Sequence, residues 1–288
     1  MQEARFKNIL MGFAFSPNLK ANVFEAMRLA TFLDGNLFFL HVGEKTAAKE
    51  KTFLEILKDS PVGPKQVKIL WEEGKPDKTI IAQCRLHNID LLLLGALQRE
   101  NLVKFYLGSI ARKITRKAPC SVLLLIKPSV EQISSQHMVV NAFDGEQTQT
   151  TIAAALKFAQ ALDIPKITLV EEISRSKVAV DVDNDRSLRK ATLRKEKLNR
   201  LEISRVNEIL SRFPASLKEN KLIVSQSIFG SRGYSIGHYA KVVRADLLIT
   251  NAEKKNSSLW SRIFTKDLEH ILSELPTDVL IVQKEENE

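Results

Sequence analysis

At 288 residues with 44% hydrophobic content, the chain is long enough for two domains of ordinary size, each burying a core of its own. It holds no run of about 18 apolar residues and no basic-then-apolar leader in MQEARFKNIL, which excludes a membrane-spanning reading and points to the cytoplasm. Cys84 and Cys120 stand far apart without a CxxC, and His41, His87, His137, His238 and His270 show no HxxxH or HExxH spacing, so a disulfide framework, a zinc ribbon and a metal centre are excluded as well. The net charge of +9 would suit a polyanionic partner, but much of the excess lies in one stretch, Arg186 to Arg205.

Lys7 to Phe13 is an apolar run, and Ser16-Pro17 supplies an N-cap followed by proline at the first helical position. Val23, Ala26, Met27, Ala30 and Leu33 then recur at helical spacing until Asp34-Gly35. Asn36 to Val42 reads as a second strand, Glu44 to Lys58 as a charged helix and Pro61 to Pro64 as a turn. Val67 to Trp71 is a third strand, and Pro76 to His87 is a helix that delivers the chain to Asp90.

The stretch Asp90 to Ile126 organises the rest. Leu91 to Leu94 is wholly apolar, as a strand buried on both faces of a parallel sheet requires. A loop begins at Gly95, and thirteen residues later Gly108-Ser109 starts a helix with Ile110, Ala111, Ile114 and Ala118 on one face and Arg112, Lys113, Arg116 and Lys117 on the other. Ala118-Pro119 ends it, and Ser121 to Ile126 is another buried strand. A strand, a glycine-marked loop and a helix opening on Gly-Ser form a design for an anion, because the first helical N–H groups lack partners and the helix dipole adds positive charge.

The alternation of strands and helices means right-handed βαβ units and a parallel sheet covered on both faces. The pattern then repeats. Met138 to Phe143 corresponds to Ile9 to Phe13, and Ile152, Ala155, Leu156, Ala159 and Leu162 form the next helix face. Ile167 to Val170 matches Phe39 to Val42, Leu222 to Ile228 matches Val67 to Trp71, and Ala245 to Thr250 matches Ile89 to Leu94. Leu275-Pro276 with Val279 to Val282 matches Ala118-Pro119 with Val122 to Leu125. Two tandem domains, 1–130 and 136–288, joined near Pro128 to Gln136, make up the chain.

Gly95-x2-Gln98-x9-Gly108-Ser109, between an Asp-Leu-Leu-Leu-Leu strand and an Ala-Pro-Cys-Ser-Val-Leu strand, resembles the signature of the universal stress protein family, whose nucleotide-binding members carry Gly-x2-Gly-x9-Gly-Ser/Thr. Gln98 replaces the second glycine. The resemblance implies an α/β fold of two tandem copies of an open five-stranded parallel sheet, order 3-2-1-4-5, flanked by helices and adenine nucleotide alpha hydrolase-like. It implies a non-enzymatic regulator of stress adaptation, with slow ATP hydrolysis as the one reaction left open, that binds ATP or a related adenine nucleotide weakly in the first domain. Gly95, Gln98, Gly108, Ser109 and Ile110 would surround the phosphates, Val42 would face the adenine, and any Mg would arrive with the nucleotide. The family's Asp just after the first strand is replaced by Ala14 and reappears in the second copy as Asp144. Fifth strands pair in this family, so an internal pseudo-dimer through Val122 to Ile126 and Val279 to Val282 is implied, a homodimer being the other arrangement. A nucleotide-free module acting through protein partners is the alternative function.

In the second copy Asn251, Lys254, Phe264 and Thr265 stand where the first has Gly95, Gln98, Gly108 and Ser109, so its loop is degenerate and Phe264 would obstruct a phosphate. A basic insertion, about 185–210, reads as a solvated outer helix peripheral to the fold, and the lack of aromatics among its charges disfavours nucleic acid. Asp181-Val-Asp183-Asn-Asp185 begins like a calcium loop but has Arg186 at the sixth position and Thr192 at the twelfth. Gly230-Ser-Arg-Gly233 reads as a plain turn, with an anion held by Arg232 as the lesser alternative. No catalytic constellation emerges.

Overall fold

Leu91, Leu92, Leu93 and Leu94 are all buried, as a strand covered on both faces requires, and the sheet is built outward from them. The computed structural model describes residues 6–98, 105–177, 183–252 and 266–283. The first half runs β1 (Asn8–Phe13), α1 (Leu19–Phe32), β2 (Asn36–Val42), α2 (Ala47–Lys58), β3 (Val67–Glu72), α3 (Pro76–Leu86), β4 (Leu91–Gly95), a short hairpin of β5 (Leu97–Gln98) and β6 (Phe105–Tyr106), α4 (Ser109–Lys117) and β7 (Ser121–Leu125). The second runs β8 (His137–Asn141), α5 (Thr148–Ala161), β9 (Lys166–Ser174), α6 (Asp185–Ser211), β10 (Leu222–Gly230), α7 (Tyr234–Val242), β11 (Leu247–Asn251), α8 (Lys266–Ser273) and β12 (Asp278–Val282). Helix α1 starts at Leu19 with Asn18 as its N-cap, two residues beyond the proline start expected, because Leu19 N–H bonds Ser16 O in a preceding turn. The loop expected at Gly95 is in part the β5–β6 hairpin.

Both halves have the order 3-2-1-4-5, and they are joined into one ten-stranded sheet, β10-β9-β8-β11-β12-β7-β4-β1-β2-β3. Every neighbouring pair in it is parallel except β7 with β12, where Val279 lies opposite Leu124 and Ile281 opposite Val122 in antiparallel register. Polar side chains close this seam reciprocally: Asp278 at the start of β12 accepts from Ile126 N–H at the end of β7 (2.7 Å), and Ser121 Oγ at the start of β7 accepts from Gln283 N–H (3.2 Å). Arg112 and Arg116 of α4 both bond Glu269 of α8 across it. On the α1 and α5 side the core is shared by the halves, with Phe6 edge-on to Phe158 at 5.0 Å.

A second device occurs once in each half. Asp90 Oδ2 accepts from the N–H groups of Lys7 and Asn8 (2.9 and 2.8 Å), and Asp246 Oδ2 does the same for Gln136 and His137 (2.7 and 3.0 Å). The Asp that opens each central strand thus fixes where the half's first strand begins. Arg28, buried in α1, donates to the carbonyls of Ser129 and Val130, and Glu25 accepts from Ser129 N–H, so the connection between halves is clamped to the first.

The basic insertion is not peripheral along its whole length. Helix α6 is the counterpart of α2, extended at its N-terminus: Asp185 to Leu201 is largely exposed, but Val206 is buried with Ile209 and Leu210 packed beside it in the core. Arg205 binds Glu202 and Glu171 (2.8 and 2.9 Å) and donates to Ala142 O, tying α6 to β8 and β9. Burial, then the neighbouring Glu202, raises Glu171 to about 8, and Arg205, shared among its acceptors, only partly offsets this. Burial also raises Asp278 to about 7.

Two outcomes follow from this packing. Val206→Ala will cost about 2 kcal/mol and Leu193→Ala, on the exposed part of the same helix, less than about 0.5 kcal/mol in chemical denaturation; equal costs would return α6 to the periphery. Because the folded state holds the Glu171 proton up to about pH 8 while the unfolded chain releases it in the ordinary glutamate range, its contribution to stability is fully present below that range and is lost as pH rises through about 8. The fall in stability between about pH 5 and pH 8 will therefore be shallower in Glu171→Gln, and an unchanged slope would show that Glu171 ionises normally.

Candidate functional site

The residues singled out for a ligand collect at the carboxyl ends of the first half's strands. Val42 closes β2 and Gly95 closes β4, on either side of β1, where the chain's crossovers change direction. Gly108 caps α4 in extended backbone (φ −58, ψ 157), and the first helical bond is Arg112 N–H to Gly108 O at 2.9 Å. The N–H groups of Ser109, Ile110 and Ala111 precede it without helical acceptors, and no side chain caps the helix. Ser109 is exposed, and so is Ile110, which leaves the buried face expected for it to Ile114 and Thr115.

The structure gives two of the marked residues a local setting of their own. Gln98 lies in β5, paired with Phe105, so its backbone is extended and not in the left-handed region that would strain a glutamine. A Cβ on Gly95 would stand 3.1 Å from Asn22 Oδ1 and 3.2 Å from its Nδ2, so a side chain here would crowd Asn22 of α1 unless that amide shifted. Asn22 Oδ1 is itself buried and has no hydrogen-bond partner among the described residues.

Strand register gives the correspondence between halves. Ile9 lies opposite Leu37 and Leu91, and Met138 lies opposite Ile167 and Leu247. Likewise Leu37 lies opposite Val67, and Ile167 opposite Ile223. Counting along each strand sets Val42 against Glu172, His41 against Glu171, Trp71 against Ser227, Gly95 against Asn251 and Phe15 against Asp144. The counterpart of Asp144 is therefore Phe15 and not Ala14, one residue along from the expected position. Neither residue carries a carboxylate.

The two halves fill this common slot with opposite chemistry. In the first, Phe13 stacks on Phe53 at 4.2 Å, and Phe15, His41 and Trp71 meet in edge and stacked contacts of 5.1 to 6.3 Å. His41 Nδ1 lies 3.2 Å from Phe13 O, which makes it the protonated ring nitrogen. In the second, Glu171 sits with Arg205 and Glu202, and the Arg232 guanidinium lies 3.3 Å from the centre of the Phe143 ring. Glu172, buried where the first half has Val42, accepts from Gly233 N–H (2.9 Å) and Ile236 N–H (2.7 Å) at the start of α7. The Gly230 to Gly233 turn thus receives a carboxylate of its own chain, and Arg232 turns to an aromatic ring. The sequence carries a signal for this in Glu171-Glu172, two acids between Val170 and Ile173, although the apolar match to the first half ends at Val170 and the strand itself runs on to Ser174.

Lys254, Phe264 and Thr265 of the degenerate loop, and Asp181 of the calcium-like run, lie outside the described residues. A cavity of about 1240 Å³ lies away from the marked residues, along the seam between Arg28, the connection at Ser129 and the α7 and α8 residues Lys241 and His270. Among the described residues no cluster of His, Cys, Asp and Glu could hold a metal, and no helix is long and apolar enough to cross a membrane.

Residues 5–125 match the model of the universal stress protein family. No curated protein matches the chain. Among solved structures, a functionally unknown protein from Pseudomonas aeruginosa is similar over 98% of this chain and 94% of its own, with TM-score 0.68 and 15% identity. A universal stress protein from Archaeoglobus fulgidus is similar over 98% of this chain and 99% of its own, with TM-score 0.63 and 12% identity. At those identities the likeness is one of fold, and it extends across both halves. The first half, residues 5–125, is thus a universal stress protein domain, and the second half repeats its fold.

Proposed function

We propose that this protein is a non-enzymatic stress-response regulator that binds one adenine nucleotide per chain, in the first of two domains spanning 1–130 and 136–288. The observation that carries the reading is the open start of α4: three N–H groups without helical acceptors, no side-chain cap, and an exposed Ser109 hydroxyl, set at the carboxyl edge beside Gly95. Phosphates would be held there by the backbone of Gly108, Ser109 and Ile110, with Gln98 in the hairpin between. Val42 would face the base. Asn22 Oδ1, buried and unpaired beside Gly95, offers an acceptor for a ligand N–H or O–H.

The second half supports the stoichiometry of one. Its equivalent of Val42 is Glu172, a buried acid whose carboxylate accepts from the start of α7, so the place that would face the base in the first half is already taken in the second. The second reading, a nucleotide-free module, is favoured by Phe15 at the position of Asp144. A lost hydrogen bond to the nucleoside would cost about 1 to 3 kcal/mol, a weakening of roughly five- to two-hundredfold.

Titration calorimetry with ATP will give a single weak site per chain, abolished by Gly108→Phe and unaffected by Glu172→Gln. Binding that survives Gly108→Phe, or no heat at about 1 mM ATP, would move the protein to the nucleotide-free class.

A further inference from the structure

We propose that the outward face of α6 is a docking surface for an acidic amphipathic helix of a protein partner. From Arg186 to Arg200 the helix carries seven basic residues against one acid, Glu196, and so six of the chain's nine excess positive charges. Ala191 and Val206 face the body of the protein. At 100° per residue, Arg186, Lys190, Leu193, Lys197 and Arg200 recur at intervals of four and three on the opposite side, with Arg189 beside them. That stripe is about 21 Å long, by the rise per residue.

Such a face is costly to maintain alone. Like charges at these intervals repel, and among the described residues the one ion pair from Arg186 to Arg200 is Arg200 with Glu196 at 3.7 Å, both largely exposed. The helix is held in register by its far end, where Arg205 and Val206 enter the fold, and at its start by a capping box between Asn184 and Ser187. An anionic partner would relieve the repulsion without any rearrangement of that anchor.

The details of the stripe select a helix over other anions. Leu193 and Leu201 are more than half exposed and, with Glu196, Lys197 and Arg200, line a shallow dent of about 360 Å³. An apolar side chain can seat there while acids at three- and four-residue spacing meet the flanking cations, as in helix-to-helix packing. A nucleic-acid backbone has no group to match the leucines or Glu196, and no aromatic interleaves the charges. A lipid surface would need a broad apolar face, whereas the buried residues of α6 face the body of the protein. A second copy of the chain would present the same positive stripe and be repelled.

The test uses the full chain and a labelled synthetic helical peptide of about six turns, with Glu at alternating three- and four-residue spacing around a central Leu. Anisotropy titration is expected to show saturable binding that weakens at least about tenfold between roughly 50 and 300 mM salt. The Lys190→Glu, Lys197→Glu double variant should lose at least about tenfold in affinity, and a peptide with Lys at the facing positions should bind that variant instead. Leu193→Ala should weaken the original peptide several-fold. Both lysines are exposed, so a thermal melt will verify folding, and Arg189→Glu with Arg200→Glu serves as a second pair if the first misfolds. Absence of peptide binding, equal binding by the charge-reversed protein, or tighter capture of duplex DNA or of phosphatidylserine vesicles than of the peptide would overturn the proposal.

Discussion

The antiparallel pairing of β7 with β12 is the constraint on which the rest of the structure depends. Each half alone would end in a bare apolar strand, Val122 to Leu125 or Val279 to Val282, and such an edge invites aggregation. Joining the two edges removes both liabilities at once. The hydrogen-bonded register is held at each end by a side chain, Asp278 on Ile126 and Ser121 on Gln283, so the seam cannot slip without exposing buried polar groups.

That one antiparallel contact also decides the layout of function. Strands of the first half run opposite to those of the second, so their carboxyl ends lie at opposite edges of the sheet. The two slots share no wall, and each was free to acquire its own chemistry. One is lined by stacked aromatic rings next to an uncapped helix start. The other is filled by Glu171 with Arg205, by Glu172 on the start of α7, and by Arg232 over the Phe143 ring. The start of α4 is open to an anion, and the second half's version of the slot beside Val42 is occupied by its own acids, which is why the first half carries the functional proposal.

Much of this was legible in the sequence, for physical reasons. Leu91 to Leu94 and Val122 to Ile126 have no polar face and could only be buried strands, and Ala118-Pro119 marks where the helix before the second of them stops. The two Asp residues that open β4 and β11 were visible as a repeat, but their work, gathering two backbone N–H groups of a strand over 80 residues away, is tertiary. Helix α6 reads as wholly peripheral because its charges dominate the pattern, and the apolar residue by which its far end enters the core, Val206, gives no periodic signal. The resemblance sets Gly95 among the residues around the phosphates, and its packing against Asn22 is a contact that spacing along the chain does not encode. The acids of β9 looked like the end of a strand because an isolated buried carboxylate is prohibitive, and only the fold shows Arg205 and the start of α7 arriving to meet them.

The central claim is that the first half of a continuous sheet is open to an anionic ligand at the start of α4, while the second half's version of the slot beside Val42 is filled by its own acidic side chains. Hydrogen exchange read by mass spectrometry, with and without about 1 mM ATP, tests it most directly. The account expects added protection in peptides covering Val42, Gly95 and Ser109 to Ala111, and none in peptides covering Glu172 or Gly233 to Ile236. Protection that appears in the second half, or in neither half, would contradict it.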